Sequence, residues 1–137
     1  VHQLADQLLD FASEGTLTNI RLADGQVALA TPDGRWHLAT SRRPAERNLA
    51  DLCLRVAAAV SGLAGIAPLF PLIVEDLVLD PDEALDRGAV QVLSWVTARL
   101  QVVAVTADER TTELLAAQPC AAVTLLPRPA ALGAGSG

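Results

Sequence analysis

Residues 71–83 read PLIVEDLVLDPDE. An apolar run, LFPLIV at 69–74, meets two adjacent acids, Glu75 and Asp76. A second acidic cluster, Asp80, Asp82 and Glu83, lies beyond a short apolar interval. A short continuous apolar run bounded by charge is the mark of a strand buried on both faces. The strand either delivers its carboxylates to a site or ends in an ordinary solvated loop. The residues C-terminal to it decide the fold. PDEALDRGAVQVLSWVTARL (81–100) has helical spacing and is acidic at its start, as the helix dipole prefers. QVVAVTA (101–107) predicts a second buried strand, DERTTELLAAQ (108–118) a short helix, and CAAVTLLP (120–127) a last strand. Strand–helix–strand–helix–strand implies a parallel sheet with helical crossovers. Ligands in such sheets sit beyond the carboxyl ends of the strands, where Glu75, Asp76 and Thr106 to Asp108 fall.

The N-terminal side has a different texture. In residues 1–15, apolar Val1, Leu4, Leu8, Leu9 and Phe11 recur at helical spacing, with Gly15 as the stop. Residues 16–40 hold three short apolar runs separated by Asp24-Gly25 and Asp33-Gly34. Asp-Gly between such runs predicts hairpins, hence a three-stranded antiparallel meander. PAERNLADLCLRVAAAVSGLAG (44–65) predicts a long helix. Pro44 lies in its first turn, Leu49, Leu52, Cys53, Val56 and Val60 form one face, and Gly62 and Gly65 form the stop. The expected class is α/β: an N-terminal helix and small antiparallel meander, then a mostly parallel sheet with flanking helices over 41–127. Residues 128–137, RPAALGAGSG, read as a flexible tail.

Composition narrows the function classes. The chain has 137 residues, is 51% hydrophobic and carries a net charge of −6. That suits one domain with a real core. A general nucleic-acid surface is basic, so any DNA contact is local or belongs to a partner. All ten basic residues are Arg. A P-loop needs a Lys to reach the β- and γ-phosphates, so no complete Walker A motif exists in this chain. The two cysteines, Cys53 and Cys120, lie far apart in apolar surroundings and read as buried free thiols of a reducing compartment. Cys and His are too few and scattered for a zinc site. His2 and His37 read as surface histidines. No apolar run approaches the ~18 residues that span a bilayer. The chain contains no Met and begins with Val, which suggests a piece of a longer or processed product.

Three segments resemble the C-terminal lobe of an ABC-type ATPase head, in the order used by the SMC and RecN-like coiled-coil ATPases. RRPAERNLADLCLRVAAAV (42–60) is similar to the signature segment and its helix, with Arg43, Pro44 and Ala45 where the family has Ser-Gly-Gly, followed by Glu46. Pro44 removes an N–H from the helix start that would face the γ-phosphate. PLIVED is similar to a Walker B strand. The resemblance implies that Glu75 assists a magnesium ion and that Asp76 polarises the attacking water. LVLDPD resembles the D-loop next to it, with Asp80 or Asp82 as its acid. QVVAVTADERTTELL is similar to the switch strand and helix, with Ala107 in place of the family's His and with Asp108 and Arg110 retained.

The resemblance implies the C-terminal half of an SMC-like head in DNA repair or chromosome maintenance. ATP and Mg would bind only with a missing Walker A lobe. The partners would be that lobe or a second head, with a homodimer possible. DNA would be touched only indirectly, no membrane would be involved, and the setting would be the cytoplasm. The alternative is a catalytically decayed α/β lobe acting as an interaction or dimerisation module.

Overall fold

A computed structural model describes residues 2–62, 71–119, 121, 122 and 124, without the side chain of His2. The described residues form a mixed α/β chain. In order, these are α1 (His2–Ala12), β1 (Asn19–Ala23), β2 (Gln26–Ala30), β3 (Trp36–Leu38) and a 3-10 turn (Ala39–Ser41). Then come α2 (Pro44–Gly62), β4 (Leu72–Val74), α3 (Ala84–Thr97), β5 (Val102–Ala104) and α4 (Glu109–Ala116). The strands make a three-stranded antiparallel sheet, ordered β1-β2-β3, and a two-stranded parallel sheet, β4-β5.

α1 buries Ala5, Leu8, Leu9 and Ala12. Phe11, expected on that face, is 61% exposed. At about 100° per residue, position 11 lies roughly 110° from the centre of the stripe, and the two alanines hold the centre instead. The helix stops where Glu14 and Gly15 both take positive φ, 53° and 82°, and the Gly15 N–H returns to the Asp10 carbonyl at 2.9 Å. Asp6 then fastens α1 to the meander: its carboxylate accepts the Ile20 N–H at 2.8 Å and the Asn19 amide at 3.1 Å.

The meander is set by its turns. Ala23 pairs with Gln26, leaving Asp24 and Gly25 as a two-residue loop with φ of 53° and 75°. Positive φ at both positions is the type I′ geometry that matches the strand twist. The second hairpin closes over residues 32–34: the Thr31 N–H donates to Arg35 O at 3.0 Å, and Gly34 has φ 83°. Ile20 and Leu29 point into the core. Leu22, Trp36 and Leu38 are exposed, and Trp36 is covered by the Arg21 guanidinium 4.1 Å above its ring.

α2 buries Leu49, Ala50, Leu52, Cys53, Val56 and Ala57 against α1 and α3, while Val60 is half-buried. The helix is described as far as Gly62; the second expected stop, Gly65, lies outside the described residues. α3 starts at Ala84, behind an N-cap by Glu83, and buries Leu85, Ala89, Val90, Val92, Leu93 and Val96. Gly88 also faces inward. A Cβ there would lie 2.1 Å from the carbonyl oxygen of Ala12, so the end of α1 rests directly on the α3 backbone. One hydrophobic cluster runs through α1, the meander, α2, α3, β4 and Leu100.

β4 and β5 pair in parallel, Leu72 with Val102, Ile73 with Val103 and Val74 with Ala104. The expectation of strands buried on both faces is corrected. Val74 is buried and Leu72 and Val102 are half-buried, but Ile73 is 52%, Val103 38% and Val105 42% exposed. Among the described residues the core lies on one face only, and a period of two sends alternate side chains away from it. The expected strand at 120–127 falls largely outside the described residues, and Ala121, Ala122 and Thr124 have no regular structure.

Replacing Gly88 by Ala adds about 1 kcal/mol of helix propensity. It also drives a methyl group into a backbone carbonyl, which has no rotamer to yield. Gly88→Ala is expected to lower unfolding stability by about 1–3 kcal/mol in urea titrations. Ser61→Ala, on the exposed side of α2, should change it little.

Candidate functional site

The carboxyl ends of β4 and β5 are stitched together by a run of mostly polar contacts. The Val105 N–H donates to Val74 O at 2.8 Å and the Leu77 N–H to Val105 O at 3.2 Å. The Thr106 hydroxyl donates to Leu77 O and accepts the Asp108 N–H. Asp108 caps α4: its carboxylate accepts the Thr111 N–H at 2.9 Å and the Thr111 hydroxyl at 2.7 Å. That hydroxyl oxygen also accepts the Leu79 N–H at 2.7 Å. Thr111 is fully buried, and its hydroxyl is the joint between the loop after β4 and the start of α4. Asp108 is held below the ordinary carboxylate range, first by the Thr111 hydroxyl and then by the Thr111 N–H.

The expected site residues separate into two groups. Glu75 and Asp76 leave the end of β4 into solvent, and Asp76 takes φ 52°. Neither carboxylate has a hydrogen bond or ion pair among the described residues. A non-glycine left-handed residue two positions past a strand turns the chain sharply, and Asp is one of the residues that tolerates it.

The second group gathers at two helix starts. Arg43 precedes Pro44, the first residue of α2, and its guanidinium reaches Glu83 at 3.0 Å and Glu46 at 3.4 Å. Arg42 takes the other oxygen of Glu46 at 2.8 Å, so Glu46 is buried between two arginines. The Arg43 hydrogen bond holds the Glu83 carboxyl below its usual range, and Glu83 raises Arg43 in return. Pro44 has no N–H, and the N–H groups of Glu46 and Arg47 donate to Arg43 O. Of the first helical residues, the half-buried Ala45 alone keeps an N–H without an intrahelical partner.

Asp80 bridges the two regions. It meets Arg110 at 2.9 Å, its side chain accepts the Asp82 N–H, and its own N–H donates to Asp86 at 2.8 Å. Arg110 also approaches Asp82 at 3.5 Å, so both candidate loop acids share one arginine. Asp86 is pushed up, first by burial.

A cleft of about 170 Å³ opens beside Asp76, floored by Leu49, Leu52, Val74 and Leu79. Its polar rim comprises Asn48, Asp51 and Arg55 of α2 with Asp76 and Asp86. Pockets for drug-sized ligands run to roughly 300–1,000 Å³, so this one is too small for a nucleotide. Among the described residues, no three Asp, Glu, His or Cys side chains are grouped to hold a metal ion, and no helix is long and apolar enough to cross a membrane. Cys53 is buried, and burial pushes its thiol up to about 12. Cys120 lies outside the described residues. His37 is half-buried, with Nε2 3.4 Å from the Thr31 hydroxyl.

Sequence reasoning missed the roles of Asp51, Asp86 and Thr111. For Thr111 a local signal existed: Asp108 three residues ahead of it is an N-cap spacing. The contact to Leu79, 32 residues away, had none. No protein-family model matches the chain, and no curated protein matches it.

Thr111→Val removes the acceptor of the buried Leu79 N–H and should cost about 1–3 kcal/mol by chemical denaturation, with Thr111→Ser close to wild type. The depressed Asp108 carboxyl gives stability that is present above the unfolded-state value of about 3.9 and is lost as pH falls through its folded value. Asp108→Asn should therefore flatten the acid limb of a melting-temperature profile followed by circular dichroism.

Proposed function

We propose that this chain is an α/β half-lobe whose role is assembly: a second polypeptide covers the open face of its parallel sheet. The observation that carries the reading is the outer face of β4-β5, where Ile73, Val103 and Val105 stand in solvent. Parallel sheets are normally covered on both faces, because their crossovers put helices there, and a lone two-stranded pair buries too little apolar surface. The natural cover is a helix with an apolar stripe, from a completing lobe or a second copy. This is the module reading of the SMC-like resemblance, with its nucleotide chemistry decayed. The helix start that would face a phosphate supports the decay. Arg43 is neutralised by Glu83 and Glu46, and Pro44 and the Glu46 N–H offer nothing outward.

A second reading is favoured by the unpaired carboxylates of Glu75 and Asp76. Magnesium is commonly held by one or two carboxylates plus substrate phosphates, so this pair fits a share of an ATP–Mg site completed by a Walker A lobe. There Glu75 would help hold the ion and Asp76 would orient water. Asp80, or Asp82, would face the opposing head in DNA repair or chromosome maintenance. The segment from Arg43 through Pro44 and Ala45 to Glu46 does not fit the phosphate part of that site.

Sedimentation velocity distinguishes these. The wild-type chain should self-associate as concentration rises, and Ile73→Glu and Val103→Glu should be monomeric with unchanged circular dichroism. A wild type that stays monomeric would rule out a second copy as the cover, and a completing lobe that binds Ile73→Glu as tightly as wild type would sink the assembly reading. Calorimetry with magnesium-ATP should give no heat, whereas tight binding by the chain alone would overturn the decayed chemistry. On adding a candidate completing lobe, Glu75→Gln with Asp76→Asn should leave its binding intact under the first reading. Under the second, the pair should abolish ATP-driven association.

A further inference from the structure

The cleft between α2 and the loop after β4 lies on the helix-bearing side of the sheet, away from the Ile73–Val103 face. Its features combine in one way. The floor is aliphatic and buried: Leu49, Leu52, Val74 and Leu79 are each at most 6% exposed. The rim holds three carboxylates, Asp51, Asp76 and Asp86, and one guanidinium, Arg55. Arg55 is already bound to Asp51 at 2.9 Å, so three negative charges against one positive leave two uncompensated. Asp76 has no partner among the described residues, and Val78, 65% exposed, forms an apolar lip beside it.

We propose that this cleft receives a single Lys or Arg side chain from an apolar segment of a partner polypeptide. The volume, about 170 Å³, suits one long side chain. Such side chains lay an aliphatic stem along apolar surface and keep the charged head at the rim, which matches a leucine-and-valine floor under an acidic lip. The flanking apolar residues of the partner rest on Val78. The chain's net charge of −6 favours approach of a basic segment over an acidic one. A cation at the rim also relieves Asp86, whose carboxyl is pushed up first by burial and further by the charges of Glu83 and Asp80, against the Asp80 N–H and Arg43, which lower it. This chain has no Lys, so a second copy would have to supply an Arg. The cleft and the Ile73–Val103 face lie on opposite sides of the β4-β5 sheet.

The test is a titration of isotope-labelled chain, followed by amide chemical shifts, with the blocked peptide Ala-Leu-Arg-Leu-Ala and its counterpart with norleucine in place of Arg. The Arg peptide should move the amides of Asn48, Asp76, Val78 and Asp86, with millimolar affinity as for one anchor of a larger interface. Binding should weaken when salt is raised from about 50 to 500 mM. Asp51→Asn and Asp76→Asn should each weaken it roughly two- to fivefold, the range of exposed ion pairs. Ile73→Glu, which tests the assembly face, should leave the titration unchanged, so failure of one idea is separable from failure of the other. Equal binding of the norleucine peptide, shifts confined to Ile73 and Val103–Val105, or no shifts at about 5 mM peptide would each overturn the proposal.

Discussion

At Gly88 the backbone of α3 comes so close to the Ala12 carbonyl that only a hydrogen fits between them. Glycine inside a helix costs about 1 kcal/mol, and here the close crossing offsets it. With α1 seated on α3, its stripe of Ala5, Leu8 and Leu9 reaches the same core as Val56 of α2 and Val92 of α3. Asp6 on that helix then sets the position of β1, and with it the meander. A larger residue at 88 displaces α1, and everything N-terminal to α2 moves with it. The antiparallel and parallel parts of the chain share one core, joined there by α1 on α3 and by α2, which packs on both.

The acidic half of the molecule is organised by shared cations and capped helix starts more than by any ligand geometry. Arg43 joins α2 to α3 through Glu83, and Arg110 joins α4 to the loop through Asp80 and Asp82. Exposed ion pairs of this kind stabilise weakly one at a time, but they fix which carboxylates are engaged and which are free. Most of the acids near the strand ends are engaged. Among the described residues Glu75 and Asp76 are not, and Asp76 is turned aside by its left-handed backbone. Among the described residues, the carboxylates left free at this end are therefore those two, beside the cleft.

Much of the fold is legible in the sequence where the signal is local. The two Asp-Gly turns specify the meander, and helical spacing with Pro44 and the N-terminal acids specifies α2 and α3. Two errors share one cause. Spacing alone places Phe11 in the core of α1, and the apolar runs predict β4 and β5 covered on both faces. In each case apolar character stands in for burial, although whether a partner surface exists is a property of the tertiary arrangement. The site is less legible for the same reason. The pairing of Arg43 with Glu83 spans 40 residues and the Leu79–Thr111 contact spans 32, and no window of sequence shows either. The strand-end position of Glu75 and Asp76 is readable, because it needs only the strand.

Cys53 sits at the centre of this arrangement, fully buried on α2 where α1 and α3 converge, with its thiol pushed up to about 12. A thiol that is both inaccessible and protonated reacts with alkylating agents only in molecules that have opened. Its modification rate is therefore a clock for separation of α2 from its two neighbours. Because those neighbours belong to the two different halves of the chain, one atom reports whether the halves come apart.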